Sequence, residues 1–180
     1  MNSVLIPRVL TIMFSLFSAH LIAAGLSMGM GQGDENITAF RAGRLWDWNK
    51  NWALSEKWGL TGFWEGSFSY WEREKGKKKG NDPIMLVAIA PVFVLRYKGE
   101  YFDPYFQAGI GASWLSQTEM GHKELSTHFQ FEDRVGFGLR LHSPSPWDFC
   151  FNFFHFSNGS IERPNNGVNL WVLNALYHFQ

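Results

Sequence analysis

The segment from Trp147 to Ser157 constrains the fold of this chain more than any other part of the sequence. Its odd-numbered positions are Trp147, Phe149, Phe151, Phe153, His155 and Ser157, and its even-numbered positions include Asp148, Cys150 and Asn152. A β-strand directs alternate side chains to opposite faces, so four large aromatic rings, one imidazole and one hydroxyl share a face. In a soluble protein that face would be buried in a core. In a membrane-spanning barrel it would contact lipid.

Similar apolar stretches, separated by turn residues, predict an all-β chain with eight strands. The predicted strands cover residues 26–32, 37–48, 58–72, 84–97, 101–116, 126–142, 147–158 and 167–179. The second face of these strands carries acids, bases and many glycines. Side chains just fill the interior of an eight-stranded barrel, and enclosed charges must pair to offset their desolvation.

These patterns predict an eight-stranded antiparallel transmembrane β-barrel of the outer-membrane type. Five charged residues are expected to pair inside it, namely Arg41, Glu65, Glu132, Arg134 and Asp148. The stretch 84–97 fits this scheme less well, because it is apolar on both faces.

Residues 1–25 have the features of a secretory signal peptide, which leaves 26–180 as the barrel domain. Arg8 supplies a positive charge, an apolar run of about 14 residues follows, and Ala23, Ala24 and Gly25 form a small-residue cleavage site. No later stretch has the length and apolarity of a membrane-spanning helix. Membrane crossing would therefore require a barrel.

Composition excludes several other classes of function. The formal net charge is zero, which argues against a protein that binds nucleic acid by electrostatics. Cys150 is the only cysteine, so the chain contains no disulfide framework and no CxxC metal or redox motif. The histidines lack the spacing of metal ligands, and we expect neither a metal nor a cofactor.

Connection lengths predict which end of the barrel faces outwards. Outer-membrane barrels have short periplasmic turns and longer external loops. With a periplasmic N-terminus, the connections 73–82, 117–126 and 158–166 are external. His155 and Ser157 then lie near the outer end of their strand, at the depth of the ester bonds of lipopolysaccharide. The predicted partner is lipopolysaccharide of the outer leaflet, and the sequence leaves open whether the barrel is a monomer or a homodimer.

Ser157 and His155 are candidates for a nucleophile and its base. A serine hydroxyl needs a base within hydrogen-bond reach, and histidine is the usual base because its pKa is near neutrality. A third group should orient the imidazole. If the neighbouring strands pair in the simplest register, Asn169 lies opposite His155 on one side and Asp133 on the other. Both remain candidates, and Asn169 is preferred.

Asparagines crowd the loop that follows Ser157. The amides of Asn158 and Asn165, with backbone N–H groups of Gly159 and Ser160, are candidate donors to a developing oxyanion. The alternative is that asparagine–glycine pairs form turns. That alternative is the preferred interpretation of Asn166-Gly167.

Several ordered blocks of residues carry a resemblance that spans nearly the whole mature chain. They are Trp46-Asp47-Trp48 with Lys50, Gly62-Phe63-Trp64, Tyr70-Trp71-Glu72, Ala90-Pro91-Val92-Phe93-Val94, Ala108-Gly109-Ile110-Gly111, Phe131-Glu132-Asp133-Arg134-Val135-Gly136, His155-Phe156-Ser157-Asn158, Pro164-Asn165 and Gly167. In these blocks the chain resembles the lipid A 3-O-deacylase (PagL) family of outer-membrane barrels.

This resemblance implies hydrolysis of the acyl ester at position 3 of lipid A, by an active site on the outside of an eight-stranded barrel. It implies Ser157 as nucleophile, His155 as base and Asn165 as an oxyanion-hole residue. The family's catalytic acid is a glutamate at the position of Asn169, so this chain departs from the pattern there.

Two alternatives remain at this stage. The local pattern from His155 to Asn169 also resembles outer-membrane phospholipase A, which would act on glycerophospholipid. That family is a larger, twelve-stranded, calcium-dependent barrel, and the full-length blocks favour the deacylase. The other alternative is a small non-catalytic barrel with a structural or adhesive function.

Overall fold

A computed structural model describes residues 25–73, 82–142 and 145–179 of the chain. Within these ranges eight long antiparallel strands form a closed barrel. They are β1 (Gly25–Gly33), β2 (Ile37–Asp47), β3 (Trp58–Arg73), β4 (Ile84–Tyr97), β5 (Phe102–Leu115), β6 (Phe129–Leu141), β7 (Trp147–Ser157) and β8 (Val168–His178). Each strand pairs with the next, and β8 pairs with β1 to close the sheet. The predicted fold is confirmed.

The predicted signal peptide falls almost wholly outside the described residues, since the description starts with Gly25 as the first residue of β1. We call the end of the barrel that carries the β1–β2, β3–β4, β5–β6 and β7–β8 connections the outer end. A 3₁₀ turn, Asp34–Asn36, joins β1 to β2 there, and a small hairpin of Glu119–Met120 and Lys123–Glu124 joins β5 to β6. At the inner end Trp52–Ala53 pairs with the start of β3. Among the residues described, no helix has the length and apolarity needed to cross a bilayer.

The outer wall is largely apolar, and β4 follows the same rule. Met85 and Val87 are exposed, whereas Leu86 and Val92 are buried in the lumen. The apolar character of both faces of β4 has a simple physical origin. Its inward side chains meet apolar clusters of the lumen, so no polar partner is needed on that face.

The lumen is filled in layers. An apolar cluster lies under the outer end and includes Phe154, Phe156 and Leu170, together with Met120 and Leu125 from the β5–β6 connection. A second apolar cluster, which includes Leu45, Val92 and Leu176, lies nearer the inner end. Charged side chains occupy the lumen between these clusters.

Two arginines and two glutamates form a closed ionic network in this charged layer. Arg41 donates to both carboxylate oxygens of Glu132, at 2.9 Å each, and to Glu65 at 3.2 Å. Arg134 lies 2.5 Å from Glu65 and 2.6 Å from Glu132. All four residues are buried, and both guanidinium groups lie over the ring of Phe154. The predicted pairing of these four residues is confirmed.

Asp148 also pairs inside the barrel, as predicted, but with other residues than these four. Its register position is close to the inner end, where its carboxylate forms an ion pair with Arg140 at 3.1 Å and contacts His178 Nε2 at 3.0 Å. Alternation identified Asp148 as inward-facing, but alternation does not determine the depth at which an inward-facing residue finds its partner.

Glu132→Ala is expected to lower the free energy of unfolding by about 3–5 kcal/mol, because it leaves two buried guanidinium groups with one carboxylate between them. Urea denaturation of the purified barrel in detergent micelles measures this change. Glu119→Ala, which removes an exposed carboxylate of the outer hairpin, is the control and should change stability by less than about 0.5 kcal/mol. Equal stabilities of the two variants would contradict the assigned role of the network.

Candidate functional site at the outer edge of the barrel wall

His155 and Ser157 lie at the outer end of β7 and face away from the lumen. They continue the outward row of Phe149 and Phe151, whose exposed fractions are 46% and 50%. Their inward neighbours Phe154 and Phe156 are fully buried, as the alternation of a strand requires. His155 and Ser157 themselves are half-buried. The imidazole and the hydroxyl therefore stand on the lipid-facing wall.

Asn169 fixes the orientation of the imidazole. The register places Asn169 of β8 directly opposite His155, as the sequence predicted. His155 Nδ1 lies 2.7 Å from Asn169 Oδ1. Because a carbonyl oxygen only accepts, Nδ1 must carry the proton in this contact. In the neutral ring Nε2 is then left unprotonated, which is the state that a general base requires.

Asp133 occupies the position that the sequence predicted, opposite His155 on the β6 side. It is half-buried on the outer wall, between the exposed Phe131 and Val135. Within the described residues His155 makes its hydrogen bond to Asn169, and none joins it to Asp133. Of the two candidates for orienting the imidazole, the geometry connects Asn169.

Gly167 provides the space in which the imidazole lies. Its backbone has φ +62°, in the left-handed region that favours glycine. A Cβ at this position would lie 2.8 Å from His155 Cε1 and 3.4 Å from Nε2. Gly167 is thus more than the turn residue predicted from the Asn166-Gly167 pair, because its missing side chain leaves room for the Nε2 edge of the ring.

Ser157 makes no hydrogen bond to the imidazole among the residues that the structure describes. Such contacts are often long in active sites without substrate and tighten in the substrate complex. Nε2 of His155 has no other hydrogen-bond partner there, so it remains available to the hydroxyl of the same strand end.

The two candidate oxyanion donors differ in their geometry. Asn158 is fully buried, and its side-chain amide donates to the carbonyls of Leu125, at 3.0 Å, and Glu162, at 2.9 Å. Both amide hydrogens are therefore committed, and this geometry does not fit the predicted role of the Asn158 side chain. Since its strand position alternates with that of Ser157, the side chain points inwards and anchors the loop.

Asn165 is fixed in a different way. Its Oδ1 accepts the backbone N–H of Asn158 at 3.1 Å. Its own NH₂ group makes no hydrogen bond within the described ranges, and the residue is half-buried. Asn165 therefore presents a free donor next to the end of β7, in an orientation held by the backbone.

Asp34 and Lys123 also belong to the site, although the sequence did not single them out. Asp34 Oδ2 accepts from the backbone N–H of Asn169 at 2.9 Å and from its side-chain Nδ2 at 3.0 Å. Lys123 Nζ donates to the same oxygen at 2.5 Å and to the carbonyl of Gly167 at 2.8 Å. Asp34 and Asn169 are 135 residues apart and meet because β1 pairs with β8.

Asp34 is charged at neutral pH. Burial raises the pKa of its carboxyl, but the hydrogen bonds from Lys123 and Asn169, together with the positive charge of Lys123, outweigh this effect. The net result is a pKa below the usual aspartate range. The amide of Asn169 thus lies between an imidazole and a carboxylate.

Apolar rings form a platform immediately below the imidazole on the outer wall. Phe153 lies two residues before His155 on the same face and packs against Trp171, with ring centroids 4.7 Å apart. Phe151 stacks on the same indole, with ring centroids 5.4 Å apart. In the part of the chain that is described, no group of three or more His, Cys, Asp or Glu side chains is placed to hold a metal ion.

Comparisons with known proteins agree with this architecture. The sequence model of the family "Lipid A 3-O-deacylase (PagL)" matches residues 37–178. Lipid A deacylase PagL of Pseudomonas aeruginosa is 32% identical over 173 residues, which cover 96% of each chain. Lipid A deacylase PagL of Bordetella bronchiseptica is 32% identical over 160 residues, covering 86% of this chain and 83% of that protein.

A solved structure, the crystal structure of the outer membrane enzyme PagL, has 30% sequence identity and a TM-score of 0.78. The match covers 87% of this chain and 100% of that one. The family and the outer-membrane location that the sequence predicted are confirmed. This chain belongs to the lipid A 3-O-deacylase (PagL) family of outer-membrane β-barrel enzymes.

Proposed function

We propose that this protein removes the acyl chain esterified at position 3 of lipid A, with Ser157 as nucleophile and His155 as general base. The observation that carries this proposal is an outward-facing imidazole whose Nδ1 contacts Asn169 Oδ1 and whose Nε2 has no hydrogen-bond partner among the described residues, at the strand end that also carries Ser157. Membership of the family supplies the substrate class. The outer end of the wall is where the ester bonds of the outer leaflet are found.

In the first half of the reaction, Oγ of Ser157 attacks the ester carbonyl carbon and His155 Nε2 takes the hydroxyl proton. The carbonyl oxygen becomes an oxyanion, to which the free NH₂ group of Asn165 donates. The tetrahedral intermediate then breaks its bond to the sugar oxygen, and His155 returns the proton to that oxygen. The products of this half are the 3-hydroxyl of the sugar and an acyl-serine.

In the second half a water molecule attacks the acyl-serine, with His155 again accepting a proton. The free fatty acid leaves, and Ser157 recovers its hydrogen. During each step the imidazole is transiently positive, and Asn169 holds it through Nδ1. The chemistry uses only side chains of this protein and water.

The aromatic platform supports a lipid substrate rather than a soluble ester. On the outer wall, Phe153 and Trp171 are the next residues from the His155 level towards the inner end of the barrel, and so towards the middle of the bilayer. An acyl chain that follows this surface keeps its hydrocarbon among rings and lipid while its ester group reaches Ser157. The chain therefore stays out of water throughout, which avoids the cost of about 0.8 kcal/mol for each CH₂ group that would otherwise be exposed.

Ser157→Ala and His155→Ala should each reduce deacylation by more than about a thousandfold, because the nucleophile and its base act as a unit. The measurement is a mass spectrum of lipid A incubated with the purified protein in detergent, which should show loss of one 3-hydroxyacyl chain. Ser55→Ala, in the exposed connection between β2 and β3 at the inner end of the barrel, is the matched control and should retain activity.

The same assay distinguishes the alternative functions. Release of fatty acid from glycerophospholipid, with lipid A unchanged, would favour a phospholipase. No release from either lipid would favour a structural barrel. Full activity of Ser157→Ala would contradict the serine mechanism itself.

Gly167→Ala is expected to slow deacylation by about a hundredfold, the size of effect that a displacement of about 1 Å has on a catalytic group. The added methyl group would lie 2.8 Å from His155 Cε1, so the ring must move. Gly121→Ala, in the β5–β6 hairpin, is a matched control, because its φ of +61° is equally unfavourable for alanine while its neighbours are the side chains of Glu35 and Arg73. Equal activities of the two variants, in the same lipid A assay, would show that the space at Gly167 is irrelevant to the imidazole.

A further inference from the structure

The amide of Asn169 stands between His155 and a carboxylate that belongs to a distant part of the chain. Its Oδ1 contacts His155 Nδ1 at 2.7 Å, and its Nδ2 donates to Asp34 Oδ2 at 3.0 Å. The backbone N–H of Asn169 donates to the same Asp34 oxygen at 2.9 Å. Imidazole, amide and carboxylate are thus joined in one continuous series of hydrogen bonds.

An ionised carboxylate accepts hydrogen bonds and has none to donate. Asp34 therefore requires the NH₂ end of the Asn169 amide to face it. The oxygen end must then face His155, and it accepts only from a protonated Nδ1. If the amide were reversed, its NH₂ group would face Nδ1 and favour the tautomer with the proton on Nε2, which cannot take a proton from Ser157.

Asn169 alone does not determine this choice. A side-chain amide has a donor end and an acceptor end of nearly the same shape, and a histidine ring accommodates either. A neutral amide also balances none of the charge of an imidazolium. The carboxylate behind it supplies the direction of the amide, while its charge is shared with Lys123 Nζ at 2.5 Å.

Two other elements hold Asp34 in place. The 3₁₀ turn Asp34–Asn36 follows β1, which pairs with β8 up to Gly33 opposite Leu170. From the β5–β6 hairpin, Lys123 Nζ joins Asp34 Oδ2 to the carbonyl of Gly167. The carboxylate is therefore fixed from β1, β8 and the hairpin together.

We infer that Asp34 is a positioning residue for His155, acting through Asn169. This inference rests on the proposed function. Asp34 touches neither the ester nor the imidazole. It sets the direction of the Asn169 amide, and the amide keeps the proton of His155 on Nδ1 so that Nε2 accepts the proton of Ser157.

A four-protein cycle tests this inference: the wild type, Asp34→Asn, Asn169→Glu and the double variant. In the wild-type background, Asp34→Asn is expected to lower kcat for lipid A deacylation by about tenfold or more, the loss implied by a hydrogen bond to a charged group. KM should stay unchanged, because Asp34 does not contact the substrate. In the Asn169→Glu background the imidazole has its own carboxylate, and Asp34→Asn should cause no loss.

The cycle separates this role from a purely structural one. If Asp34 only ties the hairpin to the barrel through Lys123, its replacement should lower kcat by the same factor in both backgrounds. That result would overturn the inference, and so would an unchanged kcat in Asp34→Asn. Folding of each variant is checked by its heat-modifiable migration on a gel.

Two further proteins complete the design. Glu35→Gln changes the neighbouring carboxylate of the same turn, which pairs with Arg73 and does not contact Asn169, and kcat should be unaffected. A tenfold loss in Glu35→Gln would overturn the inference, because any change in the turn would then suffice. Ser157→Ala separates the two proposals: if it is inactive while Asp34→Asn keeps full activity, the inference fails and the proposed function stands.

Discussion

The structure depends on one constraint, which is that the lumen of this barrel is full. Eight strands enclose a space that side chains just occupy, and here apolar clusters and a neutral network of two arginines and two glutamates occupy it. A lipid cannot enter such an interior. Any chemistry on a lipid must therefore use the outer wall, and the strict alternation of the strand decides which side chains stand there.

Three adjacent strands carry the outward-facing polar residues of the site, which are His155, Ser157, Asp133 and Asn169. A slip of one residue in the pairing of β7 would turn the imidazole and hydroxyl into the lumen. The buried rings of Phe154 and Phe156 oppose such a slip, because it would exchange apolar core contacts for polar groups. The guanidinium groups that lie over Phe154 tie the same strand to the ionic network. The network that stabilises the barrel thus also keeps the site on its outer face.

The sequence was sufficient for the strands and for the local registers. Alternation identified the strands to within a few residues, and the simplest pairing of consecutive strands placed Asn169 and Asp133 on either side of His155. The sequence did not predict contacts between residues that come together only when the barrel closes. Asp34 reaches Asn169 only because the first and last strands pair, and no local pattern marks that turn.

Other partners depended on features that no strand pattern contains. The side chain of Asn158 is buried by a loop that folds over the lumen, and the partners of Asp148 are set by its depth along the barrel axis. Gly167 carried a signal in the sequence, but the space that it leaves is visible only with the imidazole beside it.

The site combines a rigid wall with supports from the outer connections. The strands determine where the imidazole, hydroxyl and amide stand, while the β1–β2 turn and the β5–β6 hairpin supply the charged groups behind them. This division explains how an amide can stand next to the imidazole, at a position where the family resemblance implies a carboxylate. In this chain a carboxylate, that of Asp34, lies behind the amide and comes from a different part of the chain.

If His155 and Ser157 point into the bilayer, a spin label at position 157 must lie in hydrocarbon. Ser157→Cys in a Cys150→Ser background, labelled with a nitroxide and reconstituted in lipid, reports its surroundings through collisions with molecular oxygen and with a water-soluble nickel chelate. We expect frequent collisions with oxygen, which concentrates in the hydrocarbon, and few with the chelate. An immobilised label that neither reagent reaches would contradict the outward orientation of residue 157, because it would mean that this position lies inside the barrel.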